Sequence, residues 1–137
     1  MTPEQLADIS ARAYVYLHPW SAGDFADTLA RPIALLTTTT HAFVLGQVIV
    51  DEAEILALAT DPDAQGRGEG RRVLTQFERD AQKRGAASVF LEVAAQNAPA
   101  RALYTACGYR QTGLRKDYYN SPLGGRDDAI LMSKTLP

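Results

Sequence analysis

Between Asp61 and Arg72 the chain reads D-P-D-A-Q-G-R-G-E-G-R-R, with glycines at alternate positions and arginines between and behind them. An apolar run, Ile55-Leu56-Ala57-Leu58-Ala59, precedes it and has the composition of a buried strand. Val73, Leu74, Phe77 and Ala81 follow on one helical face. Strand, glycine-rich turn and helix form a layout for holding an anion, because the first N–H groups of a helix lack partners and carry the positive end of its dipole. Gly66, Gly68 and Gly70 let main chain approach a ligand closely, while Arg67, Arg71 and Arg72 add positive charge. The predicted chemistry is a cradle for a pyrophosphate. No Lys-Ser or Lys-Thr follows the glycines, as a P-loop needs, and their order is not that of a dinucleotide fingerprint.

Two other side chains suit proton transfer. Glu92 lies in S-V-F-L-E-V-A, residues 88–94, sharing one strand face with Phe90 and Ala94. An unpaired buried carboxylate is costly, so Glu92 must meet a cleft or a cation. A catalytic role and a plain salt bridge to Arg101 or Arg115 are the two readings. Tyr104 carries a phenol whose ordinary pKa of about 10 lets it protonate a leaving thiolate, whose own is about 8.5. Its alternative is a core tyrosine with a wet hydroxyl. Cys107 has no histidine near it and reads as a small buried residue. His18 and His41 lie far apart, without a cysteine partner, so no structural zinc site is expected.

The elements that must position these groups follow from periodicity and punctuation. Residues 3–16 carry Leu6, Ile9, Ala13 and Tyr14 at helical spacing, and His18-Pro19 closes that helix. Ser21 caps a second helix that Pro32 ends. Two branched runs, 32–40 and 42–50, predict an antiparallel hairpin, with a third strand feeding the glycine loop. The helix after the loop runs from about Glu69 to Arg84 and stops at Gly85. The strand at 88–94 then pairs in parallel with the strand before the loop. Asn97 caps a short helix that Gly108 stops, and two strands, 109–118 and 127–136, complete the chain.

Composition narrows the function classes. A chain of 137 residues with 46% apolar content fits one domain with a real core. A net charge of -2 argues against general affinity for nucleic acid or an anionic membrane. No apolar run approaches a membrane span and no signal peptide is read, so a cytoplasmic protein is expected, in keeping with the single cysteine.

The pattern Q-x-x-G-x-G, in Gln65, Gly68 and Gly70, resembles the coenzyme A loop of the GNAT superfamily of N-acyltransferases. Pro19-Trp20-Ser21, Phe90-Leu91-Glu92-Val93, Asn97, Ala102-Leu103-Tyr104, Gly108-Tyr109 and Arg115-Lys116-Asp117-Tyr118-Tyr119 are similar to its RimI group, over about Pro19 to Leu136. The resemblance implies an α/β GNAT fold, a mixed central sheet with helices on both faces, and acetyl-CoA as cosubstrate with no metal. It implies that Leu58, Ala59 and Thr60 offer main-chain groups to the pantetheine arm. Gly66, Arg67, Gly68, Glu69, Gly70 and Arg71 would hold the pyrophosphate, and Asn97 would bind coenzyme. Glu92 would be the general base and Tyr104 the general acid. The implied acceptor is the N-terminal amine of an Ala-first protein, a ribosomal protein in that group. A lysine or small-molecule amine as acceptor, or a coenzyme-binding module without turnover, are the alternatives. Tyr118, Tyr119, Trp20 and Phe25 would wall the acceptor groove, or else belong to the core.

Two departures from the pattern carry expectations of their own. Relatives have a strand before the first helix that Met1-Thr2-Pro3 does not supply. Glu69 stands where they carry an apolar residue, and its charge should weaken coenzyme binding.

Overall fold

The computed structural model describes all 137 residues. The first helix, α1 (Pro3–Ala13), starts at Thr2, whose hydroxyl accepts the Gln5 N–H at 3.2 Å while the Gln5 side chain accepts the Thr2 N–H at 2.7 Å. It stops three residues short of the periodicity. Tyr14 is extended, and its hydroxyl reaches the Leu58 carbonyl at 3.5 Å, so a tertiary contact overrides the helical pattern. The second helix, α2 (Ala22–Leu29), is closed by a reciprocal Ser21–Asp24 capping box.

Then follow β1 (Ala34–Thr38), β2 (Ala42–Ile49), β3 (Glu52–Thr60), a 3₁₀ turn at Pro62–Ala64, α3 (Glu69–Lys83), β4 (Ser88–Ala94), α4 (Ala98–Ala106), β5 (Arg110–Asn120) and β6 (Arg126–Thr135). They form one six-stranded sheet in the order β1-β2-β3-β4-β6-β5, antiparallel except for β3 with β4. Gly85 and Gly108, both at φ 94°, end α3 and α4 as predicted. No strand precedes α1, and no helix is long and apolar enough to cross a membrane.

Helices cover both faces of the sheet. Leu74 and Phe77 of α3 pack with Val44, Ile55 and Leu91 in the larger core. Leu6 and Ile9 of α1 and Phe25 of α2 pack on Phe43 and Leu45 in the smaller one. A bulge links the two. Leu45 pairs with Ala57 but Gly46 with Ile55, which leaves Leu56 as an extra residue in β3. Ala53 and Ile55 therefore belong to the larger core, whereas Ala57 and Ala59 belong to the smaller. Gly46 permits the bend: a Cβ there would lie 2.6 Å from the Phe77 ring. The β3–β4 pairing runs only from Glu52↔Ser88 to Ile55↔Leu91, ending at the bulge. Past it the two strands part, although both continue.

Candidate functional site

The parting strands open a cleft of about 540 Å³, lined by residues 55–60 of β3, Glu92 and Val93 of β4, residues 13–17, Gln65 and Gly66, and Asn97 with Leu103 and Tyr104 around α4. Part of its polar character comes from main chain. Asp61 N–H donates to the His41 carbonyl at 2.7 Å. By the alternation of an antiparallel ladder, the groups of Ala59 then turn toward Phe43, and those of Leu58 and Thr60 face the gap. Of the three residues expected to offer main-chain groups, Leu58 and Thr60 turn theirs toward the cleft and Ala59 turns its own toward Phe43. The Thr60 carbonyl accepts the Gln65 amide at 3.3 Å, so the glutamine of the motif ties the loop to the strand end.

The glycine loop leads into α3 with Gly68 as N-cap at φ 77°, a left-handed conformation that glycine adopts without penalty. No side chain caps this helix start. Around Gly66, also at positive φ, a Cβ would meet nothing within 4 Å, so the ground beside the free N–H groups is open. The arginines are used unequally. Arg71 donates to the Ala106 carbonyl at 3.0 Å, tying α3 to the end of α4. Arg72 donates to the Arg67 carbonyl and to Glu69, each at 2.8 Å. Arg67 makes no such bond and remains the free cation of the loop. Glu69 is held by Arg72 and by the Thr39 hydroxyl at 3.4 Å, and the Arg72 bond draws its proton affinity below the usual carboxylate range. The charge expected to repel an anion is thus already compensated.

Asn97 accepts the Ala100 N–H at 3.2 Å and caps α4, as its position predicted, with its amide at the cleft. That helix presents Tyr104, 6% exposed and 5.6 Å from the Tyr109 ring. Burial, then the nearby Tyr14, raises the pKa of the Tyr104 phenol and keeps it protonated. Tyr14 is itself pushed up to about 12, chiefly by burial. Cys107 is half-buried against the larger core at the end of α4.

Glu92 combines the two readings left open for it. It lines the cleft, and its Oε1 lies 3.2 Å from the Arg115 Nε. Arg101 is not its partner and donates instead to the Ala95 carbonyl at 3.0 Å. Arg115 stacks over Tyr118 at 5.2 Å, and the rings of Tyr118 and Tyr119 lie 5.1 Å apart. These tyrosines flank the Glu92–Arg115 pair and are not among the residues lining the cleft. Nor does Phe25 line it: it is fully buried between Trp20, at 5.3 Å, and Phe43, at 5.6 Å. Trp20 packs on the same core. The opposite wall is made by residues 13–17, whose Tyr14, Val15 and Tyr16 outlast the helix. Their signal in the sequence is the β-prone run before His18-Pro19, which the 3.6-residue period reaching Tyr14 masks. Glu54 of β3 lies close enough to feel the Glu92 charge but does not line the cleft. It accepts the Gln47 amide at 2.9 Å, and its pKa is raised by burial and further by Glu92.

Comparison with known proteins agrees with this architecture. Residues 6–109 match the model of the Acetyltransferase (GNAT) family. The chain is 38% identical over 129 residues to the [ribosomal protein bS18]-alanine N-acetyltransferase of Escherichia coli K12, covering 91% of this chain and 85% of that one. It is 34% identical over 125 residues to the N-alpha-acetyltransferase RimI of Mycobacterium tuberculosis, covering 85% and 77%. The crystal structure of the Escherichia coli S18-alanine enzyme superposes with a TM-score of 0.84 at 37% identity, over 94% of this chain and 84% of that one. With its splayed strands, capless helix start and match to the family model over most of its length, the chain belongs to the GNAT family of acetyltransferases.

Proposed function

We propose that this protein moves an acetyl group from acetyl-CoA to the N-terminal α-amine of a protein that begins with alanine, a ribosomal protein as in its relatives. The observation that carries the reading is the gap between β3 and β4, which brings main-chain groups outside the sheet ladder, a carboxylate and a protonated phenol to one cleft. The residues fit the cosubstrate. The Leu58 and Thr60 main chain suits the amides of the pantetheine arm, and the N–H groups at the start of α3, with Arg67, suit the pyrophosphate. The Asn97 amide stands beside the same path.

Transfer needs a neutral amine. A chain-terminal amine, with a pKa of about 8, is roughly a tenth neutral at pH 7, whereas a lysine near 10.4 is under a thousandth neutral. Glu92 accepts the proton of the attacking amine, directly or through water, as the N–C bond forms. The C–S bond then breaks, and Tyr104 gives its proton to the departing thiolate. Burial of Tyr104 keeps the phenol protonated at neutral pH until the thiolate forms beside it. An N–H of the β3 edge near Thr60 is placed to polarise the thioester oxygen.

The test is a panel of peptides with free alanine N-termini, set against Nα-blocked peptides that carry lysine, and small amines. Acetylation of the Ala-first set is expected. Acetylation confined to the blocked set or to small amines would move the acceptor elsewhere, and coenzyme binding without any turnover would leave a binding module.

A further inference from the structure

Glu92 is met in this fold by a cation from the far edge of the sheet. Arg115 belongs to β5, two strands away, and reaches across β6 to lie 3.2 Å from the carboxylate. The reach is built in. The β5–β6 register breaks between Arg115 and Tyr119, which lets Tyr118 fold over the guanidinium at 5.2 Å. That break is held by the Asp117 N–H on Asp128 at 2.8 Å and by Arg126 on the Asp117 carbonyl at 2.9 Å. A bulge locked in this way, with Tyr118 beside the guanidinium, restrains a side chain that stays half-exposed and would otherwise sample many rotamers.

We propose that Arg115 is a specificity-determining residue that excludes charged amines from Glu92, and so separates a terminal amine from a lysine. The inference rests on Glu92 standing where the acceptor amine arrives. An ammonium entering an unpaired carboxylate site would be held there as an ion pair, bound but not nucleophilic. With Arg115 present the carboxylate charge is already answered, and a second cation meets repulsion at close range. An α-amine can shed its proton and enter neutral at little cost; a lysine cannot. The other groups facing Glu92 do not supply this. Glu54 on β3 would attract a cation. Tyr119, Tyr14 and Tyr104 are phenols whose raised pKa values keep them neutral.

The experiment measures binding to the full chain saturated with coenzyme A. The probes are an Nα-acetylated peptide bearing one lysine and the same peptide with glutamine in its place, titrated calorimetrically into the parent, Arg115→Gln and Arg115→Lys proteins. In Arg115→Gln the lysine peptide is expected to gain about tenfold in affinity relative to the glutamine peptide, a modest share of a close-range charge interaction. Arg115→Lys, which keeps the charge, stays within about twofold of the parent on the same scale. An unchanged lysine-to-glutamine ratio in Arg115→Gln, with coenzyme affinity intact, overturns the proposal. So does an equal gain in Arg115→Lys, since a merely structural role would not be rescued by charge. Turnover of an Ala-first peptide by the parent is scored separately, so a failure of the acceptor assignment is distinguishable from a failure of this one.

Discussion

The part of the cleft proposed for coenzyme and the part proposed for the acceptor are built by different means. The first is made of main chain: a bulge at Leu56, an uncapped helix start at Gly68, and the free edge of β3. The second is made of side chains, with Glu92 met by Arg115 from an edge strand and Tyr14 coming from the segment after α1. Backbone sites are insensitive to which apolar residue stands nearby, provided that the glycines remain. Side-chain sites depend on individual identities and can be retuned without disturbing the fold. A family that keeps one donor and changes acceptors would divide its cleft along this line.

The comparison breaks or sharpens on measurable differences. The largest effect is expected where the halves meet. Glu92→Gln and Tyr104→Phe should each lower kcat by about 10²-fold or more, with coenzyme affinity retained in calorimetry. A parallel loss of coenzyme binding would mean that the halves are not separable. Gly68→Ala, which forces a side chain into a left-handed N-cap, should cost about 1–2 kcal/mol in denaturant unfolding and weaken coenzyme more than acceptor. Arg67→Ala should raise the coenzyme Kd about fivefold, while Arg72→Ala, whose charge is spent on Glu69, should change it by less than about twofold. Glu69→Gln should act in the opposite sense, tightening coenzyme by about twofold as Arg72 is released toward the phosphates.

A pH test addresses the tyrosines. Tyr14 has a folded pKa raised to about 12 from an ordinary 10. Its contribution to stability is therefore full below about pH 10 and lost as pH climbs toward about 12. Tyr104, Tyr109 and Tyr119 shift in the same direction, so unfolding should become easier across this alkaline range. Tyr14→Phe should flatten part of that decline in urea titrations at successive pH values; an identical decline would place Tyr14 in water.

Local signals carried most of the architecture. Ser21 and Asn97 act as the caps their types suggest, Gly85 and Gly108 end helices, and the strand at 88–94 has the bounds read from its pattern. What was not legible depends on partners distant in sequence. Tyr14 leaves its helix for a carbonyl 44 positions on, Phe25 is claimed by Phe43 instead of a groove, and Arg71 finds Ala106. The bulge at Leu56 has no mark in its own strand, because the residue that permits it is Gly46 on the neighbouring one. The site follows the same rule. Glycines, Glu92 and Tyr104 could be named from the chain, but the pairing of Glu92 with Arg115 was one of two choices until the sheet order joined them.

The placement of β6 between β4 and β5 bears on how the protein comes into being. Residues 126–135 pair with both neighbours, so β5 has no strand beside it until they have been synthesised. While that stretch is still inside the ribosomal exit tunnel, the emerged part can assemble its hairpins and α3 but not the edge that carries Arg115 and Tyr118. Competence for acetyl transfer should therefore arise only after translation has passed this point, and truncations that remove it should leave a chain prone to self-association through the bare flank of β4.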